Sequence, residues 1–236
     1  MLQLRLKAPY AAFRLFTAGS YRPTAPFLTP SAAYGLLLNL AAIESRRDDE
    51  QTAMTLTADN LPTCDVAVGA VSLPEVQSLY QQLHNYPVGQ TGKERADDAR
   101  GNKYNIQPIR RELLSDVDAY ICLRSNDWLE SRVREGLLLG ARYRPEGKPR
   151  YGLPFLGDNN FLISVLREET SRVQAYWYVP VAPNQADPLS DLGRLTVRID
   201  RQDTSRTVTR LYGRMETPAL DIPSRAWTTI EPRGSQ

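Results

Sequence analysis

The sequence predicts an α+β fold: a ferredoxin-like or RNA-recognition-motif core with a hairpin insertion and a C-terminal β extension. Two segments carry apolar residues at helical spacing, and strand-like segments with alternating or continuous apolar residues surround them. Their order is strand, helix, strand, strand, helix, strand, which is the split βαβ arrangement. A chain of 236 residues can bury a sizeable core. We therefore expect a domain over residues 1–167 and a β-rich extension over residues 168–236.

The first predicted element is a strand at the start of the chain. Leu2, Leu4 and Leu6 alternate with polar residues, two of them basic, so one face should be buried and the outer face basic. Extended chain is expected to continue to residue 16, and a proline-rich loop over residues 17–28 follows.

A helix is predicted over residues 30–43. Thr29 is a good N-cap, because its side-chain oxygen can accept a first-turn N–H, and Pro30 is tolerated at the first helical position. The charged segment 45–52 then predicts a turn. The apolar residues that recur at helical spacing are Tyr34, Leu37, Leu38 and Ala41.

The middle of the chain predicts two strands joined through a long insertion. Residues 64–73 and 109–124 are apolar and strand-like, and residues 74–83 favour a strand. Residues 84–107 are polar and contain the charged stretch 93–100, so we expect a protruding hairpin or a flexible insertion there. The residues expected to share one face of the later strand are Val117, Ala119, Ile121 and Leu123.

A second helix is predicted over residues 128–139, capped by Asp127, and a basic loop rich in Gly and Pro follows over residues 140–160. Residues 182–192 and 217–236 are expected to be loop and tail. The buried stripe of this helix would comprise Leu129, Val133, Leu137 and Leu138. Further strands are predicted at residues 161–167, 173–181, 194–199 and 207–214.

Composition and motifs exclude several classes of protein. The net charge of +2 excludes a grossly basic nucleic-acid coat, although local basic surfaces remain possible. Zinc-protease, P-loop and dinucleotide motifs are absent, and His84 is the only histidine, so we expect no metal, no cofactor and no histidine triad. Cys64 and Cys122 lie in apolar runs and predict buried free thiols. The N-terminus has no signal-peptide pattern, which favours a cytoplasmic protein.

Three basic stretches are the strongest binding signal. Arginine suits bidentate phosphate contacts, and interleaved aromatic rings suit unstacked bases, so together they favour single-stranded RNA. Solvated strand faces and a scaffold that bridges protein partners remain open alternatives. The cations are Arg5, Lys7, Arg14 and Arg22 in the first stretch, Arg142, Arg144, Lys148 and Arg150 in the second, and Arg194, Arg198, Arg201, Arg206, Arg210 and Arg214 in the third.

Three motifs resemble the Cas-five family, RAMP-superfamily subunits of the type I CRISPR complex Cascade. The first is a strand, a proline-rich loop and a helix that begins Pro-Ser/Thr and continues to Gly-Leu-Leu, matched here by Pro30, Ser31, Gly35, Leu36 and Leu37. The sequence of this first motif resembles the branch of the family once called DevS. The second motif is RRELLSDVDAYICLR at residues 110–124, and the third is the Pro-x-Leu-Gly turn at residues 154–157.

The resemblance implies a subunit that binds the 5′ handle of CRISPR RNA. It would cap the Cas-seven filament and dock a large subunit of the Cas-eight type, so that the complex reaches target double-stranded DNA in antiviral defence. Tyr21 would stack on a base, Arg22 would contact phosphate, and Gly35 would allow close packing of the helix on the sheet. The full set of RNA-binding candidates is Arg14, Ser20, Tyr21, Arg22, Lys103, Tyr104, Arg142, Arg144, Lys148 and Arg150.

One branch of the family cuts precursor CRISPR RNA without a metal ion. A cutter needs an acid or base near the 2′-OH, and the candidates for that role flank the insertion. The local sequence lacks the Lys-His pair expected of a cutter, so we expect no catalytic residues, with endoribonuclease activity as the alternative. The candidates are His84, Tyr86, Lys103 and Tyr104.

Overall fold

The computed structural model describes residues 1–15, 21–47, 56–87, 104–138, 153–171, 174–182, 188–200 and 203–231. The helices are α1 (Pro30–Leu40) and α2 (Asp127–Leu138), with 3₁₀ turns at Thr204–Arg206 and Ser224–Ala226. The strands are β1 (Leu2–Ala11), β2 (Tyr21–Arg22), β3 (Arg46–Arg47), β4 (Leu56–Thr57), β5 (Cys64–Ser72), β6 (Glu75–Pro87), β7 (Tyr104–Arg124), β8 (Val165–Glu168), β9 (Tyr176–Pro180), β10 (Leu189–Arg198), β11 (Val208–Met215) and β12 (Thr228–Ile230).

One large, mostly antiparallel sheet organises the described chain, in the order β10-β11-β9-β5-β7-β1-β8. The long strand β7 is central to it. The C-terminal half of β7 pairs with β1 and β5, while its N-terminal half pairs antiparallel with β6 and parallel with the short strand β2. A mostly antiparallel sheet with two helices confirms the predicted α+β class.

Both helices pack on the same face of this sheet. The main core contains the β1 leucines, the apolar residues of α1, and Leu129 and Val133 of α2. The alternating residues Val117, Ala119, Ile121 and Leu123 of β7 lie in the same core, as predicted. The opposite face of β7 is also covered, because Tyr120 and Cys122 pack with Trp177 in a second core.

The N-cap of α1 is confirmed, but the end of the helix is earlier than predicted. Thr29 Oγ1 accepts the Ala32 N–H at 3.1 Å. The helix ends at Leu40, and Ala42 has a φ of +57°, so the backbone has left the right-handed helical region before residue 43.

Two helical residues, Gly35 and Leu138, differ from the sequence-based predictions. Gly35 is exposed, and a Cβ built on it would meet no atom within 4 Å, so it does not serve close packing of helix and sheet. In α2, Leu138 is 88% exposed rather than buried, whereas Glu130 is buried. The N-terminal ammonium of Met1 lies 3.0 Å from the Glu130 carboxylate and supplies the opposite charge that a buried carboxylate needs.

The C-terminal part contains more regular structure than predicted. Strand β10 already begins at Leu189, and β12 forms within the predicted tail and pairs with β5. The charged segment predicted as a turn supplies β3, which pairs with β4. Strands β8 and β9 begin later than expected, at Val165 and Tyr176. The division of the chain at residues 167 and 168 stays a prediction.

The two cysteines are buried free thiols, as predicted. Burial raises the pKa of the Cys64 thiol to about 12, so the thiolate is scarce at neutral pH. Neither α1 nor α2 has the length and apolar character needed to cross a membrane.

Candidate nucleic-acid interface

The N-terminal half of β7 brings residues from three strands into register. In β2, Tyr21 pairs with Arg110 and Arg22 pairs with Arg111. On the other side of β7, Tyr80 of β6 pairs with the same Arg110. Paired residues share a face and successive residues alternate, so Tyr80, Arg110 and Tyr21 form one row across the ribbon. We call these three residues the aromatic row.

The aromatic row is open to solvent. The exposed fractions are 44% for Tyr21 and 81% for Tyr80. Arg110 Cζ lies 5.6 Å from the centroid of the Tyr21 ring, and Arg110 Nε donates to Ser78 Oγ at 2.9 Å. The row therefore presents two exposed aromatic rings with a cation in register between them, which suits stacking of unpaired bases and contact with phosphate.

Glu112 anchors β2 beside the aromatic row. The hydroxyl of Tyr21 donates to Glu112 Oε1, and the backbone N–H of Thr24 donates to Glu112 Oε2 at 3.2 Å. The hydrogen bond to Glu112 is the largest cause that raises the pKa of Tyr21, while the charge of Arg110 opposes the rise. The loop at residues 17–28 has no carboxylate in its sequence, but Tyr21 and Thr24 of this loop contact the Glu112 carboxylate of β7.

Arg22 and Tyr21 lie on opposite faces of the ribbon, since they are adjacent in a strand. The Nε atom of Arg22 is buried and has no hydrogen-bond partner among the described residues. The paired residue Arg111 has its Nη2 atom 2.6 Å from Asp158 Oδ2. Its Cζ atom lies 5.2 Å from the centroid of the Phe161 ring. Burial is the largest single effect on the pKa of Asp158 and raises it, but the hydrogen bonds from Asn160 and Arg111 together lower that pKa.

The predicted Pro-x-Leu-Gly turn lies against the end of β1. The Ala12 N–H donates to the Leu156 carbonyl oxygen at 3.2 Å. Gly157 has a φ of +78°, and a Cβ built there would lie 1.7 Å from the Ala12 carbonyl oxygen. Only glycine fits this approach, so the turn that supplies Asp158 to Arg111 depends on Gly157.

Gly157→Ala is expected to lower the free energy of unfolding by about 2 kcal/mol or more, because it adds a backbone clash to a strained φ. The melting temperature should fall by about 4 °C or more. The matched control is Gly35→Ala, where a Cβ meets open space within a helix. That variant should gain up to about 1 kcal/mol. Thermal unfolding of both variants checks the pair, and a Gly157→Ala protein that melts with the parent would contradict this reading of the turn.

The remaining predicted RNA-binding residues are only partly described. Arg14 is exposed and forms an isolated β-bridge with Thr24. Tyr104 lies on β7, and His84 and Tyr86, which are candidates only for the endoribonuclease alternative, lie on β6; for these three only the backbone is described. Predicted residues outside the described part of the chain are Ser20, Lys103, Arg142, Arg144, Lys148 and Arg150.

The two cations on the predicted basic outer face of β1 are paired with a carboxylate of the protein itself. Arg5 Nη2 and Lys7 Nζ each lie 2.9 Å from Asp118 Oδ2 on the adjacent strand β7. These two cations are therefore engaged within the protein. The sequence could not show this, because Asp118 lies more than 100 residues away along the chain.

The basic C-terminal strands are also partly paired. Arg214 Nε lies 2.6 Å from Asp191 Oδ2, and Arg206 Nε lies 3.3 Å from Asp203 Oδ2. Arg210 is exposed, and Arg201 lies outside the described residues. The third basic stretch is consequently less cationic than its arginine content indicates. Within the described ranges, no cluster of three or more His, Cys, Asp or Glu residues is arranged to hold a metal ion.

Sequence reasoning did not single out Tyr80, Arg110 or Glu112 as candidate site residues. One signal was present, since Arg110 and Glu112 are two residues apart in a predicted strand and must share a face. Their partners Tyr80 and Tyr21 are distant from them in sequence, and their register with β7 is visible only in the folded sheet.

Three comparisons with known proteins bear on identity. No curated protein matches. Among solved structures, a chain of a "CRISPR RNA-guided surveillance complex" is 14% identical with a TM-score of 0.55, covering 95% of this chain and 94% of the other, so it shares the fold. A chain described as "Crystal structure of Cas protein" is 14% identical with a TM-score of 0.49, covering 92% of this chain and 94% of the other. The family model described as "CRISPR-associated protein (Cas_Cas5)" matches residues 1–140, more than half of the sequence. The chain belongs to the Cas-five family of CRISPR-associated proteins.

Proposed function

We propose that this chain is a non-catalytic Cascade subunit that binds the single-stranded 5′ handle of CRISPR RNA. Family membership supports a place in the complex. The observation that carries the RNA-binding proposal is the aromatic row, in which Tyr21 and Tyr80 flank Arg110 on one exposed face. Bases that are not paired can stack on such rings without sequence preference, because every base has a π-face.

The core topology supports assignment to the ferredoxin-like RAMP arrangement. Taken in spatial order, β5, β7, β1 and β8 are neighbours, and both helices share one core with them. Along the chain these elements follow the order strand, helix, strand, strand, helix, strand. The aromatic row lies where β7 extends beyond this four-strand core to pair with β6.

The other proposed partners follow from the family rather than from a particular surface. The subunit would act in the cytoplasm, cap the Cas-seven filament, and dock a large subunit of the Cas-eight type. Target double-stranded DNA would be reached through the assembled complex.

A metal-independent endoribonuclease is the second candidate. The pairing of β6 with β7 favours it, because it places Tyr86 opposite Asn105 and Pro87 opposite Tyr104 at one end of the ribbon. His84, Tyr86 and Tyr104 would then stand near a bound RNA strand, and Lys103 directly precedes Tyr104 in sequence. In that case the phenol, amine or imidazole would move the proton of the attacking 2′-OH.

The test uses purified protein, its cognate repeat RNA and excess chelator, with binding and cleavage followed on one gel. We expect a shifted band without a cut, and an affinity that falls steeply as salt is raised. A fully base-paired RNA of equal length is the control and should bind more weakly, because its bases are not free to stack on the rings. A single cut would establish the endoribonuclease alternative. No binding at low salt would favour the scaffold that only bridges proteins.

A further inference from the structure

We propose that Glu112 is a positioning residue that holds Tyr21 in the orientation required for base stacking. The inference rests on the proposed function, because it concerns the surface that would bind single-stranded RNA. Glu112 would not contact the RNA base itself. It would act through the side chain of Tyr21 and the backbone of Thr24.

Strand β2 needs such an anchor. It has only two residues, and the one described strand that pairs with it is β7. The residues directly before Tyr21 lie outside the described chain, and the segment after β2 is held separately, since the Phe13 N–H donates to Thr24 Oγ1 at 2.9 Å and the Ala25 N–H donates to the Phe13 carbonyl oxygen at 2.8 Å. Two residues of parallel pairing leave the ring of Tyr21 with little restraint of its own.

The carboxylate of Glu112 supplies two independent attachment points. One oxygen accepts the phenol hydroxyl of Tyr21, and the other accepts the backbone N–H of Thr24 at 3.2 Å. Tyr21 is thus held at its hydroxyl, and the backbone is held again at Thr24, three residues further along the chain. Arg110, two residues before Glu112 on the same face, lies 5.6 Å from the same ring. Within the described part of the chain, Glu112 and Arg110 of β7 are therefore the groups that hold the ring of Tyr21.

The charge of Glu112 makes the proposal testable by the sign of an effect. A carboxylate beside a surface that binds a polyanion repels phosphate. If Glu112 had no positioning role, removing its charge would leave RNA affinity unchanged or raise it. If Glu112 positions Tyr21, removing the carboxylate lowers RNA affinity despite the electrostatic gain.

The experiment measures the dissociation constant of the full chain for its cognate repeat RNA in the parent protein, Glu112→Gln and Glu112→Ala. We expect Glu112→Ala to bind roughly 10-fold more weakly, as expected for a disturbed stacking contact. Glu112→Gln, which keeps one acceptor oxygen, should fall between Glu112→Ala and the parent. The dependence of affinity on salt should not become shallower, because no cation is removed.

The control for charge is Glu75→Ala, since Glu75 is an exposed carboxylate on β6 of the same ribbon. This variant should bind RNA as tightly as the parent or slightly more tightly. Melting temperatures of all variants should lie close to that of the parent, which separates a positioning effect from loss of fold.

A double-mutant cycle with Tyr21→Phe shows whether Glu112 acts through the phenol hydroxyl. Tyr21→Phe keeps the ring and removes the donor to Glu112. We expect Glu112→Ala to weaken binding much less in the Tyr21→Phe background than in the parent. Fully additive effects would overturn the proposal, and so would Glu112 variants that bind as tightly as the parent. If the parent itself does not bind the RNA, the proposed function fails and this inference fails with it.

Discussion

Tyr21→Ala combined with Tyr80→Ala is expected to weaken binding of the single-stranded handle RNA by on the order of 10²-fold. Each ring is exposed, and the two flank Arg110 in one row across β2, β7 and β6. Loss of one base-stacking contact costs about 1–3 kcal/mol, so two lost contacts give an effect well above experimental error. A fluorescence-anisotropy titration at fixed salt measures the change.

The matched control for this double variant is Tyr10→Ala. Tyr10 is 48% exposed, and its ring contacts Phe161, which in turn contacts Arg111 rather than the aromatic row. We expect Tyr10→Ala to change affinity by less than about 3-fold, within the range of a surface substitution. If the double variant binds as tightly as the control, the aromatic row does not hold RNA.

Trp177→Ala is expected to cause the largest loss of stability, about 3–5 kcal/mol. Trp177 is 1% exposed and lies in the second core beside Gly69, where an added Cβ would be 2.8 Å from the indole. Its Nε1–H donates to the Ala219 carbonyl oxygen at 3.2 Å, and its ring stacks on Tyr120. The variant should therefore melt roughly 6–20 °C below the parent.

The same experiment tests how the C-terminal extension is coupled to the rest of the chain. Trp177 joins β9 to β5 across the sheet, so its removal should destabilise both parts in one cooperative transition. The control is Trp128→Ala, because Trp128 is 58% exposed on α2 and should cost less than about 1 kcal/mol. Two separate transitions in the Trp177→Ala protein, or no change in its melting temperature, would contradict the expected coupling.

Elements with a strong local pattern could be predicted from the sequence. Alternation predicted β1, the cap at Thr29 and helical spacing predicted α1, and continuous apolar runs predicted β5 and the C-terminal half of β7. Short strands with weak patterns were missed, as β12 shows, because three residues carry too little periodicity to distinguish a strand from a tail. The stripe predicted for α2 extended too far, because Leu138 is the last residue of the helix and is exposed among the described residues.

The candidate site likewise combines features that the sequence predicted with features that only the folded structure shows. The sequence by itself determined the α+β class, the family motifs and the interest of Tyr21, because each of these depends on residues that are neighbours along the chain. Only the tertiary structure decided that Tyr80 and Arg110 join Tyr21, that Arg22 lies on the opposite face, and that Arg5 and Lys7 both pair with Asp118. It also brought the Glu112 carboxylate of β7 into contact with Tyr21 and Thr24, in a loop whose sequence contains no carboxylate. The physical reason is strand register: it brings together residues that are distant in sequence, and it is set by how two whole strands pair rather than by the neighbours of any one residue.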